Sequence, residues 1–157
     1  MPIRHGRPAD VPTLVRFNLA LAQETEAREL DAHLVTAGVE AVVNDRRRGF
    51  YLVAEQAGQV VGSLLVTTEW SDWRNGWFWW VQSVYVEPAH RRRGVFRALY
   101  EAVCDNATAA EDVCGVRLYV EHTNANAQAV YTRLGMTRTS YGLFEHVFTP
   151  GTAKAWG

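Results

Sequence analysis

The chain has 157 residues, which fits one domain able to bury a core without disulfide or metal staples. Hydrophobic residues make up 48% and charged residues 21%, an ordinary globular balance. A formal net charge of −1 excludes a global basic field that recruits nucleic acid, and no apolar run approaches the length of a membrane span.

Taken in chain order, residues 3–7 are expected as a short first strand. The stretch "RPADVPTLVRFNLALAQETEAREL" reads as a helix, with Asp10 as N-cap, Pro12 in the first turn and Leu14, Phe17 and Leu21 at helical spacing. A second helix is predicted over 32–44, with Val35, Val39, Val42 and Val43 on its apolar side. "GFYLVAEQAGQVVGSLLVTTEW" holds two β-rich runs joined by Gln56-Ala57-Gly58-Gln59, a hairpin signal. "SDWRNG" is a turn, and "WFWWVQSVYVEP" a third long strand ended by Pro88. A helix is predicted over 91–109, with Val95, Ala98, Leu99, Ala102 and Val103 inward. "GVRLYVE" is a further strand opened by Gly115, and "NANAQAVYTRLG" a short helix stopped by Gly135. "MTRTSYGLFEHVF" reads as one or two strands, and residues 149–157 are expected as a frayed tail. The order predicts a mixed sheet with helices on both faces, in one domain spanning 1–157.

Cys104 and Cys114 lack metal-ligand spacing and form no disulfide framework; Cys104 falls on an apolar helix face and reads as a buried thiol. "MPIRHGRPAD" has no apolar core segment, so a cytoplasmic protein without signal peptide or membrane span is expected.

Positive charge is local, in Arg46-Arg47-Arg48 and Arg91-Arg92-Arg93. The second cluster sits where a strand gives way to a helix. The first N–H groups of a helix lack intrahelical acceptors and lie at the positive end of the macrodipole. Cations there are unfavourable unless an anion joins them, and Arg grips phosphate with paired bonds. Gly94 lets a ligand approach the main chain. The cluster therefore fits a phosphate-bearing ligand; its plain alternative is a solvated basic helix end. Neither a Walker P-loop nor a dinucleotide fingerprint is present.

"VYVEPAHRRRGVFRALYEAV" resembles the acetyl-CoA-binding signature of the GNAT family of N-acetyltransferases, Arg/Gln-x-x-Gly-x-Gly/Ala, on Arg91, Gly94 and Phe96. Phe96 departs from the usual Gly or Ala. "NANAQAVYTRLGM" resembles the family's later motif, through Asn124, Ala127, Tyr131 and Gly135. The resemblance implies a GNAT-like mixed α/β fold: a mostly antiparallel sheet of six to seven strands flanked by about four helices. It implies acetyl-CoA as cosubstrate, with no metal. The diphosphate would lie on the N–H groups of Arg92, Arg93, Gly94, Val95, Phe96 and Arg97, beside Arg91. The pantetheine arm would pair with the backbone of Val84, Tyr85 and Val86, and Asn124 would hydrogen-bond that arm.

The implied reaction is acetyl transfer from the thioester to a primary amine of a small molecule or peptide. An ordinary amine, with a pKa near ~10.4, must lose a proton before it attacks. The oxyanion needs a donor, for which a strand N–H near Val84 serves, and the leaving thiolate needs a proton. Periodicity alone makes Tyr131 a packed aromatic; the resemblance makes it the acid near the coenzyme sulfur. Glu121 is the candidate base, directly or through water, with Glu69, Glu87 and His122 as alternatives. Alternation places Phe78, Trp80 and Gln82 on one face of their strand, and Trp77, Trp79 and Val81 on the other. Trp80 and Gln82 are candidates for the acceptor pocket, where aromatic walls suit an apolar or cationic amine, and Glu24 or Glu26 nearby would strengthen that reading. The competing readings are a non-catalytic acyl-CoA-binding module and a nucleic-acid binder; net charge argues against the latter. The aromatic content suggests a homodimer.

Overall fold

The computed structural model describes residues 1–148. Strand β2 (Phe50–Gln56) turns into β3 (Gln59–Ser71) through Ala57 and Gly58, both left-handed at φ 50° and 77°. That is the backbone a two-residue hairpin demands, and it matches the predicted hairpin. β1 (Ile3–His5) pairs antiparallel with β2, β4 (Gly76–Val86) antiparallel with β3, and β5 (Val113–Leu118) parallel with β4. The sheet order is β1-β2-β3-β4-β5. Five strands are thus present among the described residues, fewer than the six to seven expected. Residues 137–148 form neither helix nor strand. Alternating composition gives a strand only where a partner edge supplies hydrogen bonds. The tail expected over 149–157 lies outside the described residues.

Four α-helices accompany the sheet: α1 (Val11–Glu26), α2 (Ala32–Asn44), α3 (Val95–Ala109) and α4 (Ala125–Arg133). The chain divides into two compact units, Met1–Glu121 and a second that begins at His122. The first holds the sheet and α1 to α3; the second holds α4. No described helix is long and apolar enough to cross a membrane.

The capping of α1 differs from expectation. Asp10 makes no side-chain cap to α1; its carboxylate takes two bonds from Arg4, at 2.7 and 3.0 Å, and one from the Arg7 N–H. Burial alone would raise this carboxyl, but the Arg4 and Arg7 bonds outweigh it and hold the group below its ordinary range. α1 ends at Glu26, capped by Ala27, whose φ of 48° is left-handed, so the residues up to Leu30 fall outside the helix. α2 has the predicted bounds, with Asp31 accepting from the N–H groups of His33 and Leu34.

Alternation along the strands feeds two cores. On one face Leu52, Leu64, Val66 and Val81 pack with Val95, Leu99 and Val103 of α3. On the other, Tyr51 and Val53 pack with Leu14 of α1 and Val39 of α2. Each buried Leu or Val contributes roughly 1.5–3 kcal/mol relative to exposure. Cys104 is half-buried rather than fully buried, Cys114 is exposed, and both are free thiols.

β4 carries a bulge. Leu65 stands opposite Gln82 but Ser63 opposite Tyr85, so β4 holds one extra residue, and Ser83 there takes φ 50°. Before the bulge Trp79 and Val81 face the α3 core; after it Val84 and Val86 do. Tyr85 turns to the other face, its ring 4.8 Å from Phe17 of α1.

Candidate functional site

The predicted helix start at Arg91 is corrected to Val95. Pro88–His90 is one short 3-10 turn, and Arg92 and Gly94 then adopt φ of 62° and 77°. Two left-handed residues in three cannot continue a right-handed helix, so the arginines form a turn ahead of it. Gly94 is the N-cap, and the first intrahelical bond runs from the Ala98 N–H to the Gly94 carbonyl, 2.9 Å. The first-turn N–H groups point out of the helix at its positive end. A left-handed residue beside such donors makes a concave, anion-seeking nest. A Cβ on Gly94 would meet no atom within 4 Å, so the main chain is open to solvent there.

The arginines divide into two kinds. Arg91 is tied into the protein: its Nε donates to the Val86 carbonyl at 2.9 Å and its Nη2 to Glu24 at 2.7 Å. Its guanidinium also lies 5.4 Å from the centre of the Tyr85 ring. The Tyr85 hydroxyl donates to the other Glu24 oxygen at 3.2 Å. Burial first, then Glu24, pushes the Tyr85 phenol up. Arg97 is paired with Glu101 one turn on, at 2.7 Å. Arg92 and Arg93 are exposed and make no ion pair among the described residues.

Beside this turn the sheet opens. β4 and β5 stay paired as far as Val81 opposite Leu118. Beyond that, β4 keeps β3 on one side, with Ser63 opposite Tyr85 and Gly62 opposite Val86. Its other edge, across Val84, Tyr85 and Val86, carries no paired strand among the described residues. Parallel strands parting beside a bulge expose main-chain donors and acceptors between them.

Trp80 and Gln82 share the face predicted for them. The Gln82 amide donates to the Thr67 hydroxyl, and the Trp80 ring lies 4.5 Å from Tyr119 at 31°. On the same face Arg117 lies over Phe78, 3.5 Å from the ring centre, and donates to Glu69 at 2.9 Å. Two of the carboxylates weighed as bases are therefore in ion pairs, Glu69 with Arg117 and Glu87 with Arg16 at 2.7 Å. Glu121 is exposed at the end of the first unit.

Asn124 and Tyr131 belong to the second unit. The Asn124 side chain accepts from the Ala127 N–H at 3.1 Å and so caps α4. Tyr131 is half-buried, and burial pushes its phenol up. It stays protonated through neutral pH and keeps a proton to donate. Gly135, at φ 89°, stops the helix as expected. His122, another base candidate, accepts at Nδ1 from Arg138, 3.1 Å.

The geometry thus brings together Arg91, Val86 and Tyr85, and separately Trp80 and Gln82. Among these neighbours, Arg117 and Tyr119 were missed as site residues, and Glu24 could not be placed. Glu24 lies 67 residues before Arg91, and no local spacing signals such a contact. No group of three or more His, Cys, Asp or Glu side chains suited to a metal ion occurs among the described residues.

Known proteins bear on this arrangement. The model of the Acetyltransferase (GNAT) family matches residues 17–136. The crystal structure of "a possible acetyltransferase from Clostridium difficile 630" is 42% identical, with a TM-score of 0.89 over 94% of this chain and 97% of that one. Two more distant structures share the fold. An integron cassette protein from the mobile metagenome of Cole Harbour Salt Marsh is 21% identical, with a TM-score of 0.81 over 94% of this chain and 91% of its own. A ribosomal-protein-alanine N-acetyltransferase from Brucella melitensis biovar Abortus 2308 is 17% identical, with a TM-score of 0.75 over 94% of this chain and 99% of its own. No curated protein sequence matches. With three-quarters of its length inside the family model and a near relative over almost its whole length, the chain belongs to the GNAT family of acetyltransferases.

Proposed function

We propose that the chain is an acetyl-CoA-dependent N-acetyltransferase acting on a primary amine of a small molecule or peptide. One observation carries the reading: the open edge of β4 beyond Val81 leads to the left-handed turn at Arg92 and Gly94. An extended arm with a diphosphate at one end needs those two features together, a strand edge and an anion nest.

In this reading the diphosphate takes the N–H groups of residues 92–97, with Arg92 and Arg93 adding charge. Arg91 acts as a positioning residue, since its donors hold the end of β4 to Glu24 on α1. The arm pairs with Val84, Tyr85 and Val86, and Asn124 contributes a hydrogen bond to it. A main-chain N–H at the bulge near Val84 serves the developing oxyanion. Tyr131, a phenol that burial pushes further up, hands a proton to the departing thiolate. Trp80 and Gln82 line the acceptor side. Glu121, directly or through water, takes the proton of the amine. Glu69 and Glu87, engaged by Arg117 and Arg16, are the alternatives for that task.

The test has two stages. Acetyl-CoA at 100 times its Kd should stabilise the protein by about 2.7 kcal/mol, seen as a raised Tm. A panel of amines should then release free coenzyme A thiol. No Tm shift at saturating acetyl-CoA overturns the coenzyme site. A shift without thiol release from any amine identifies a non-catalytic acyl-CoA-binding module instead.

A further inference from the structure

The β3–β4 turn and the start of β5 bring together two arginines that no step of acetyl transfer uses. Gly115 stands opposite Phe78 across the β4–β5 ladder, and a Cβ there would lie 2.6 Å from the Phe78 ring. The missing side chain leaves room for the ring to lie across β5. Two guanidinium groups then converge on it, Arg117 at 3.5 Å from the ring centre and Arg74 at 5.4 Å. One carboxylate answers them: Glu69, opposite Phe78 on β3, accepts from Arg117 at 2.9 Å. Arg74 is exposed and makes no ion pair among the described residues. All of these side chains belong to the first unit.

Two cations beside one ring repel each other, and a single carboxylate balances only one of them. Packing does not call for the second, because one guanidinium already covers the face of the ring. Among the described residues Arg117 hydrogen-bonds only to Glu69, which leaves most of its planar set of donors for a further anion. Stacking on Phe78 holds that plane in place, so little freedom is lost when an anion binds. The cluster is short of one negative charge, and its donors suit a carboxylate.

The same sheet face carries Trp80 and Gln82, the acceptor side of the proposed enzyme. Phe78 and Val84 are six positions apart on β4, one of them the extra residue of the bulge. At about 3.3 Å per strand residue, the arginines stand roughly 17 Å from the point where the amine meets the thioester. A compact amine does not span that length. An extended peptide does, since its α-amine lies about 14–18 Å from its fifth and sixth residues. The Trp80 ring, 4.5 Å from Tyr119, lies between the two ends and offers flat contact to the intervening chain.

We propose that Arg74 and Arg117 receive the side-chain carboxylate of a peptide acceptor whose terminal amine lies beside Val84. The substrate is then a peptide or protein amino terminus with an acidic residue four to seven positions along. The place of the amine rests on the acetyl-transfer reading, and the test separates the two.

The probes are peptides of about eight residues of Gly, Ala and Ser, with a free amino terminus, an amidated carboxyl end and either Asp or Asn at one position. Calorimetry measures their affinity for the full chain with coenzyme A present, so that no turnover occurs. Asp should bind at least about ten times more tightly than Asn at one position from the fourth to the seventh, and about equally elsewhere. Arg74→Gln and Arg117→Gln, each checked for a cooperative melt, should lower that ratio at least about threefold. Arg74 sits in the turn, so its variant carries the test even where Arg117→Gln does not fold. Equal affinity of Asp and Asn peptides at every position overturns the proposal. So does a preference confined to positions outside the fourth to the seventh, or a ratio unchanged in the folded variants. Thiol release from acetyl-CoA is then followed with the same peptides at limiting concentration. Release as fast with Asn as with Asp keeps acetyl transfer and overturns the anion site. An Asp preference in binding without any release keeps the anion site and overturns acetyl transfer to peptides.

Discussion

On the α3 side of the sheet, Leu52, Leu64, Val66, Val95, Leu99 and Val103 meet with almost no polar atom among them. On the other side, towards the end of α1, Glu24, Tyr85 and Arg91 form a chain of hydrogen bonds, and Thr67, Glu69 and Arg117 a second polar group beside Trp80. The two regions share β4 as a wall. A dry cluster holds shape because its atoms have nowhere better to go; a half-exposed polar one keeps donors and acceptors that a ligand can compete for. The difference teaches where stability and chemistry separate in this molecule, and four substitutions measure that separation.

Leu99→Ala has the largest expected effect, and it falls on stability. Leu99 is 0% exposed, and truncation at such a site costs about 2–5 kcal/mol. Denaturant unfolding should show that loss, while acetyl-CoA affinity well below the melting transition stays unchanged. An affinity loss in the still-folded variant would mean that the two regions are one. Gly94→Glu should do the opposite. Its Cβ enters open space, so the fold bears only the strain of a left-handed residue, about 1–2 kcal/mol. The carboxylate then occupies the proposed anion nest, and calorimetry should find coenzyme affinity lowered by about 100-fold or more. Unchanged affinity removes the nest from the site.

Tyr131→Phe should lower kcat by roughly 10- to 100-fold and leave the KM for acetyl-CoA nearly unaltered. Equal turnover in the two proteins rejects the acid role. Glu24→Gln is expected to be the mildest, changing the KM of an amine acceptor by up to about 10-fold as one charged partner of Arg91 and Tyr85 is lost. The coenzyme's own KM should move less. If only stability changes, Glu24 is a strut between α1 and β4 and has no part in acceptor binding.

The sequence announced its local features well. The bounds of α2, the hairpin at Ala57 and Gly58 and the stop at Gly135 follow from residue types whose preferences act within a few positions. The alternation of Phe78, Trp80 and Gln82 against Trp79 and Val81 was also legible, because both faces of β4 are covered by different elements. Long-range pairing was not. Asp10 looked like a cap, but Arg4 competes for its carboxylate from a neighbouring strand. β5 begins at Val113, two residues before the glycine expected to open it. Gly115 lies inside the strand, where a Cβ would stand 2.6 Å from the Phe78 ring. The arginine run looked helical by position, yet φ at Arg92 depends on the turn it completes. Glu24 joined the site through a contact that no window of sequence contains.

The extra residue at Ser83 gives β4 two phases. Up to Val81, odd-numbered side chains face α3; from Val84 onward, even-numbered ones do. Deleting one residue between Gln82 and Val84 would therefore not merely shorten the strand. It would rotate the distal half by half a turn, drive the Tyr85 phenol into hydrocarbon and leave Glu24 facing a valine. The length of this short link, more than the identity of any side chain in it, decides which way the end of the strand looks.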